Sequence, residues 1–232
     1  MSIVGFRIFD VVRPDRALVE RFRGVPSSNI NDMMNRLYNT DATIKSLNHK
    51  TMLGTAITVR APLGDNMMFH RALDIAQPGD VLVVDGGGCN ERSLAGEIMM
   101  TYAEKKGLAG VVANGALRDL DGILKLDMPV YATGITPQGP YKNGPGEINV
   151  PVCCGGVVVM PGDILVGDLD GIVVIRKEDA PLIIEEALEK LAKEEKKLEA
   201  YHLHGIDVDK HSSNWEKKTE QAGVAYVKEA RW

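Results

Sequence analysis

Two short stretches combine residue types that could do chemistry. In Ala95-Gly96-Glu97-Ile98-Met99 a glycine stands near the start of a helix-forming segment. Free backbone N–H groups there, aided by the helix dipole, can hold a carboxylate or a phosphate. In the second stretch Gly115, Arg118 and Asp119 follow an apolar run that reads as a buried strand. The C-terminal ends of parallel strands are favoured ligand positions. Arg118 can grip a carboxylate through two N–H groups, and Asp119 can ligate a hard divalent cation. Spacing alone leaves a packing glycine at 96 and an ion pair or helix cap at 118 and 119 as alternatives.

Other polar features carry less. The triple glycine at 86–88 lacks the following Lys-Ser or Lys-Thr of a P-loop, and Glu91 breaks a dinucleotide fingerprint, so it reads as a turn. His49, His70, His202, His204 and His211 form no HExxH and no triad arrangement; His202 and His204 read as a solvated helix end. Nothing around Lys125 or Lys142 argues for a depressed pKa of the kind a Schiff-base lysine needs.

The elements that must position these residues follow from patterning. A short helical pattern covers residues 15–22, and Ser27, Ser28 and Asn29 can cap a helix running to about 36–38. β-branched alternation makes 54–61 a strand, and 67–76 reads as a helix ended by Pro78 and Gly79. Residues 81–85 form an apolar strand ended by the glycines, 93–106 a helix with Leu94, Ile98 and Tyr102 on one face, and 109–114 a second strand that Gly115 stops. This strand–helix–strand unit predicts parallel pairing with a right-handed crossover. A third strand falls at 129–133. Beyond it, short strands at 157–160, 164–166 and 172–175, separated by turn residues, predict antiparallel structure. Pro181 opens a long helix whose apolar stripe of Ile183, Ile184, Ala187, Leu188, Leu191 and Leu198 reaches about His202, and a second helix begins near Trp215. The chain is therefore read as an α/β domain over 1–176, including the N-terminal helical segment, and a C-terminal helical extension over 177–232.

Composition narrows the class. With 232 residues, 44% apolar and 25% charged, the chain is globular in character and too short for the usual βα-barrel. A net charge of −5 gives no basic surface for nucleic acid. The 24 glycines against 5% aromatics imply an aliphatic core with many tight turns. No apolar run approaches the roughly 20 residues of a membrane span, and charges at Arg7, Asp10 and Arg13 interrupt any signal-peptide core. Cys89, Cys153 and Cys154 are odd in number and form no CxxC, so free thiols in a reducing cytoplasm are expected.

Taken in order, residues 79–85 (GDVLVVD), Ala95-Gly96-Glu97, residues 110–119 (GVVANGALRD), Pro129-Val130 and Pro161-Gly162-Asp163 resemble the RraA-like family. Residues 149–152, Gly155-Gly156 and 168–174 extend the resemblance, which spans roughly 27–176. That family includes 4-hydroxy-4-methyl-2-oxoglutarate and 4-carboxy-4-hydroxy-2-oxoadipate aldolases. The resemblance implies a swivelling β/β/α domain, a homotrimer or homohexamer with sites between subunits, and a small-molecule 2-oxo acid as substrate. It also implies roles. The backbone of Gly96, Glu97, Ile98 and Met99 would bind the substrate carboxylate, and Arg118 the pyruvyl oxygen. Asp119 would ligate Mg2+ or Mn2+, with Glu97, and Glu194 or Glu195 of a neighbouring subunit, acting through water. Retro-aldol cleavage to pyruvate, with oxaloacetate decarboxylation through the same enolate, is the implied activity. The alternatives are an RraA-type regulator that binds RNase E and a sugar-acid enzyme using the same chemistry. Two positions depart from the family pattern: Thr133, where many relatives have arginine, and the stretch from Asp207 onward.

Overall fold

The computed structural model describes residues 3–225 and divides into two compact units, which meet in sequence between Leu188 and Glu189. The first unit starts with α1 (Arg16–Glu20), α2 (Ser27–Met33), β1 (Lys45–Ser46), β2 (Met52–Arg60), α3 (Met67–Ile75) and β3 (Asp80–Ser93). It continues with α4 (Glu97–Lys105), β4 (Gly110–Leu117), α5 (Leu120–Ile123), β5 (Val130–Ile135) and β6 (Glu147–Ile148). The last strands are β7 (Val152–Cys154), β8 (Val157–Val159), β9 (Ile164–Gly167) and β10 (Ile172–Ile175). Helix α6 (Ala180–His204) begins in this unit and runs into the second, which also holds α7 (Val208–Gln221).

One sheet organises the first unit, in the order β1-β5-β4-β3-β2-β9-β10 with β6 paired to β2. Its centre, β2-β3-β4-β5, is parallel, as the strand–helix–strand reading requires, while β9, β10, β1 and β6 pair antiparallel. Successive side chains of β3 face opposite ways. Leu82 and Val84 join the cluster that includes Phe69, Leu73 and Met100 of α3 and α4. Val81 and Val83 join Val152, Cys154, Val157 and Val159 of the antiparallel β7–β8 hairpin. The result is the expected β/β/α layering, in which a sheet buried on both faces needs near-continuous apolar strands. A third cluster packs Phe22 and Ile30 against Ile164, Ile175, Ile183 and Ile184.

Several boundaries differ from the sequence reading, each for a local reason. The triple glycine does not end β3: Gly87 and Gly88 take positive φ, and the strand continues to Ser93 through register shifts on either side of Cys89. The helix read from residue 93 begins at Glu97. Ser93 and Leu94 are still bonded to the backbone of Gln138 and Ala116, at 2.8 Å each. Gly115 does not stop β4, which runs on to Leu117. Helix α2 stops at Met33, because Asn35 and Arg36 adopt positive φ, and its N-terminal Ser27 is held by the Asp168 carboxylate rather than by its own hydroxyl acting as a cap. Helix α7 starts seven residues ahead of Trp215.

The Pro161-Gly162-Asp163 turn fastens β2 to the antiparallel strands. Ala56 N donates to Asp163 O at 2.8 Å, and the Asp163 carboxylate, 2% exposed as a residue, accepts from Met160 N and pairs with Arg176. Removing one partner of such a buried pair leaves the other charge uncompensated. Asp163→Ala is expected to destabilise the fold by about 3 kcal/mol in urea unfolding, and adding Arg176→Met should recover part of that loss. An unchanged midpoint for the single variant would show that the pair is not structural.

Candidate functional site

The turn after β4 and the start of α4 meet in one clasp. Asp119 sits in the left-handed region (φ 59°, ψ 46°), which swings its carboxylate back across α4. Its Oδ2 accepts from Glu97 N at 3.2 Å and lies 3.5 Å from Arg118 Nε. Gly96 is what permits this approach. A Cβ there would overlap Asp119 Oδ2 and come within 2.9 Å of Arg118 Cγ. The glycine is also the N-cap of α4 and offers no side chain to its first N–H groups. Among the described residues Ile98 N and Met99 N have no acceptor, so the helix dipole and two free donors point outward beside Asp119.

A second close packing sets the position of Glu97. A Cβ on Gly122 of α5 would overlap the Glu97 carboxyl, so that side chain lies along α5. Among the described residues its carboxylate has no ion pair. Arg118 and Asp119 are both a little over two-fifths exposed, 43% and 44%, so both are open to a ligand.

These residues border a cleft of about 150 Å³, lined also by Asn66, His70, Pro140 and Lys142. Such a volume suits a small acid rather than a nucleotide or an extended cofactor. Asn66, 2% exposed, donates to Leu94 O at 2.8 Å while its Oδ1 is buried without a partner. His70 is held below the usual imidazole range by partial burial and by the charge of Lys142, with Asp74 opposing. Both effects favour the neutral imidazole.

Of the residues singled out from sequence, Gly96, Ile98, Met99, Arg118 and Asp119 all line this cleft; Glu97 is not among the lining residues, and its backbone N–H bonds to Asp119. Glu194 and Glu195 lie in the other unit, on α6, where Glu194 pairs with Lys190 at 3.6 Å. Thr133 is not among the lining residues; its hydroxyl bonds to Asn90 Oδ1 at 2.7 Å. Sequence reasoning gave no role to His70, Lys142 and Asn66. Their spacing carries no motif, and only the pairing of the 138–144 loop with the segment before α3 brings Lys142 to the cleft.

Among the described residues no helix is long and apolar enough to cross a membrane. Residues 27–174 match the family model described as RraA-like, Aldolase/RraA. A protein of Halalkalibacterium halodurans named "Putative 4-hydroxy-4-methyl-2-oxoglutarate aldolase" is 39% identical over 178 residues, covering 76% of this chain and 85% of that one. The structure of a Streptomyces coelicolor protein, described as an unusual member of the RNase ES inhibitor RraA protein family, superposes with a TM-score of 0.73 at 29% identity. That match covers 81% of this chain and 98% of the other. An uncharacterised protein of Pseudomonas syringae shares the fold, with a TM-score of 0.76 at 22% identity over 84% of this chain and 96% of its own. With the strand-end turn, the α4 N-terminus and the β/β/α layers all inside the matched span, this chain belongs to the RraA-like family.

Proposed function

We propose that this protein is a divalent-metal-dependent carbon–carbon lyase. It would release pyruvate from a 4-hydroxy-2-oxo acid bearing two or three carboxylates, and would decarboxylate oxaloacetate as a side reaction. The observation that carries this reading is the clasp of Asp119 on Gly96, which sets a carboxylate, a guanidinium and two free helix N–H groups around one small cleft. The name borne by the Halalkalibacterium halodurans relative supports it.

The donor set fits a hard cation. Asp119 Oδ1 accepts no hydrogen bond among the described residues, and Glu97, whose N–H bonds Asp119 Oδ2, has no ion pair among them. Mg2+ characteristically takes one or two carboxylates and fills the rest of its shell with water and substrate. In this reading Asp119 holds Mg2+ or Mn2+ directly and Glu97 through water. Glu194 or Glu195 of a neighbouring subunit in a trimer or hexamer completes the shell. The cation supplies positive charge where negative charge develops on the 2-oxo oxygen.

The chain's own groups do the rest. Ile98 N and Met99 N bind the C1 carboxylate at the positive end of α4. Arg118 directs its N–H groups at the 2-oxo oxygen, where the electron pair of the breaking C3–C4 bond arrives. The 4-hydroxyl proton leaves as the second carbonyl forms, and C3 is then protonated to give pyruvate. Oxaloacetate loses CO2 through the same electron flow, since a carboxylate there takes the place of the carbinol.

A second reading, a regulator acting by protein contact, draws support from the Streptomyces coelicolor neighbour. One assay separates the two: pyruvate release from 4-hydroxy-4-methyl-2-oxoglutarate and from oxaloacetate, with Mg2+ or Mn2+ and then with chelator. The aldolase reading expects metal-dependent turnover that falls about 100- to 1,000-fold in Arg118→Ala. Turnover indifferent to chelator and to that substitution contradicts it, and no turnover alongside binding to an RNA-degrading enzyme favours the regulator. Gly96→Ala, which forces the Asp119 carboxylate off α4, should lower kcat/KM about 100-fold while circular dichroism still reports the folded chain. Undiminished activity would show that the clasp does not matter.

A further inference from the structure

The cleft is lined from different elements. Arg118, Asp119 and the α4 N-terminus are already given to the 2-oxo acid group. His70 of α3 and Lys142 of the 138–144 loop line it as well. That loop is firmly held. Asp65, 3% exposed, accepts from Asn143 N at 2.7 Å, from Gly144 N at 3.0 Å and, through its other oxygen, from Met67 N at 2.9 Å. Tyr141 exchanges backbone bonds with Gly64 and Asn66, and its ring lies 4.1 Å beneath the Arg92 guanidinium. Arg92 also donates to Gly139 O at 3.0 Å. A buried carboxylate, a backbone ladder and a stacked arginine thus fix the residues on either side of Lys142.

Charge in the cleft is unbalanced. Among the described residues Lys142 has no ion pair, and His70 has no side-chain hydrogen bond. The one carboxylate lining the cleft, Asp119, lies beside Arg118 and is assigned to the cation. An ammonium without an ion-pair partner, carried on a held loop in a concave site, attracts an anion. Asp74, on the same helix as His70, is the nearby acid that acts on His70; it pairs with Arg71 at 3.5 Å and does not line the cleft.

We infer that Lys142, seated by the Asp65-anchored loop beside His70, is the specificity-determining residue that grips a second carboxylate at the far end of the substrate, so that the protein selects 2-oxo diacids over 2-oxo monoacids. The inference rests on the aldolase reading for which end holds the 2-oxo group. A charge-assisted bond to carboxylate accounts for a preference of about tenfold or more. His70, which lines the same cleft, contributes a hydrogen bond alongside it.

The test uses two acids that cannot undergo cleavage, 2-oxoglutarate and 2-oxobutyrate, titrated calorimetrically into the full chain with Mg2+. The wild type should bind the diacid about tenfold or more tightly than the monoacid. Lys142→Met should abolish that preference by weakening the diacid alone, and Lys142→Arg should keep most of it. The steady-state counterpart is a rise in KM for the 4-hydroxy-2-oxo diacid with kcat little changed. Equal wild-type affinities, or a diacid preference intact in Lys142→Met, would overturn the inference. An absence of turnover in a wild type that still prefers the diacid would fault the aldolase reading and leave Lys142 as the diacid-binding residue.

Discussion

Asp119 in its left-handed turn, lying against a residue with no side chain, is the contact on which the site depends. A non-glycine residue in that backbone region is strained, and it persists only where surrounding structure over-determines it. Here the compensation is visible. Gly122 N and Ile123 N both bond back to Asp119 O, starting α5, and its carboxylate bonds to Glu97 N at the head of α4. Two helices thus begin at one residue. The same geometry keeps Asp119 on the lining of the cleft and leaves the next two N–H groups of α4 free for a ligand.

The parallel sheet explains why the site lies where it does. Strands β3 and β4 stay paired beyond the glycine run, through register shifts on either side of Cys89, so the chain overshoots the ordinary end of β3 before α4 begins. That overshoot carries Leu94 and Ala95 into the core and delivers Gly96 to the edge of the cleft, facing Arg118 and Asp119 just beyond β4. Asp65 performs the parallel task on the other wall, where it bonds both to the start of α3 and to the loop that carries Lys142. A carboxylate bonded to backbone N–H groups thus serves in both places: Asp119 holds the head of α4, and Asp65 joins two segments. Arrangements of that kind hold side chains more rigidly than surface ion pairs do.

Much of this was legible in the sequence because it is carried by local pattern. The apolar runs of β3 and β4, the intervening helix and the turn-rich antiparallel half all follow from periodicity. Arg118 and Asp119 stood out because they follow a strand. The glycines misled in a consistent way. Gly87, Gly88 and Gly115 read as terminators, yet pairing across the sheet carried both strands past them; at Gly87 and Gly88 the irregular register absorbs positive φ without ending the ladder, and Gly115 takes no positive φ. Ser27 read as a cap, but the cap comes from Asp168, 141 residues away. His70, Lys142 and the buried Asn66 have no sequence signature, because their proximity depends on contacts between α3 and a loop some seventy residues further on.

In the proposed reaction the Asp119 clasp, with a divalent cation, would stabilise the enolate of a 2-oxo acid. Hydrogen–deuterium exchange into the methyl group of pyruvate, followed by proton NMR, tests it without any assumption about the natural substrate. With Mg2+ or Mn2+ the wild type should exchange the methyl protons well above the protein-free rate. That exchange should vanish on chelation and in Asp119→Asn. Exchange no faster than the blank with either metal, or exchange undiminished in Asp119→Asn, would contradict the account.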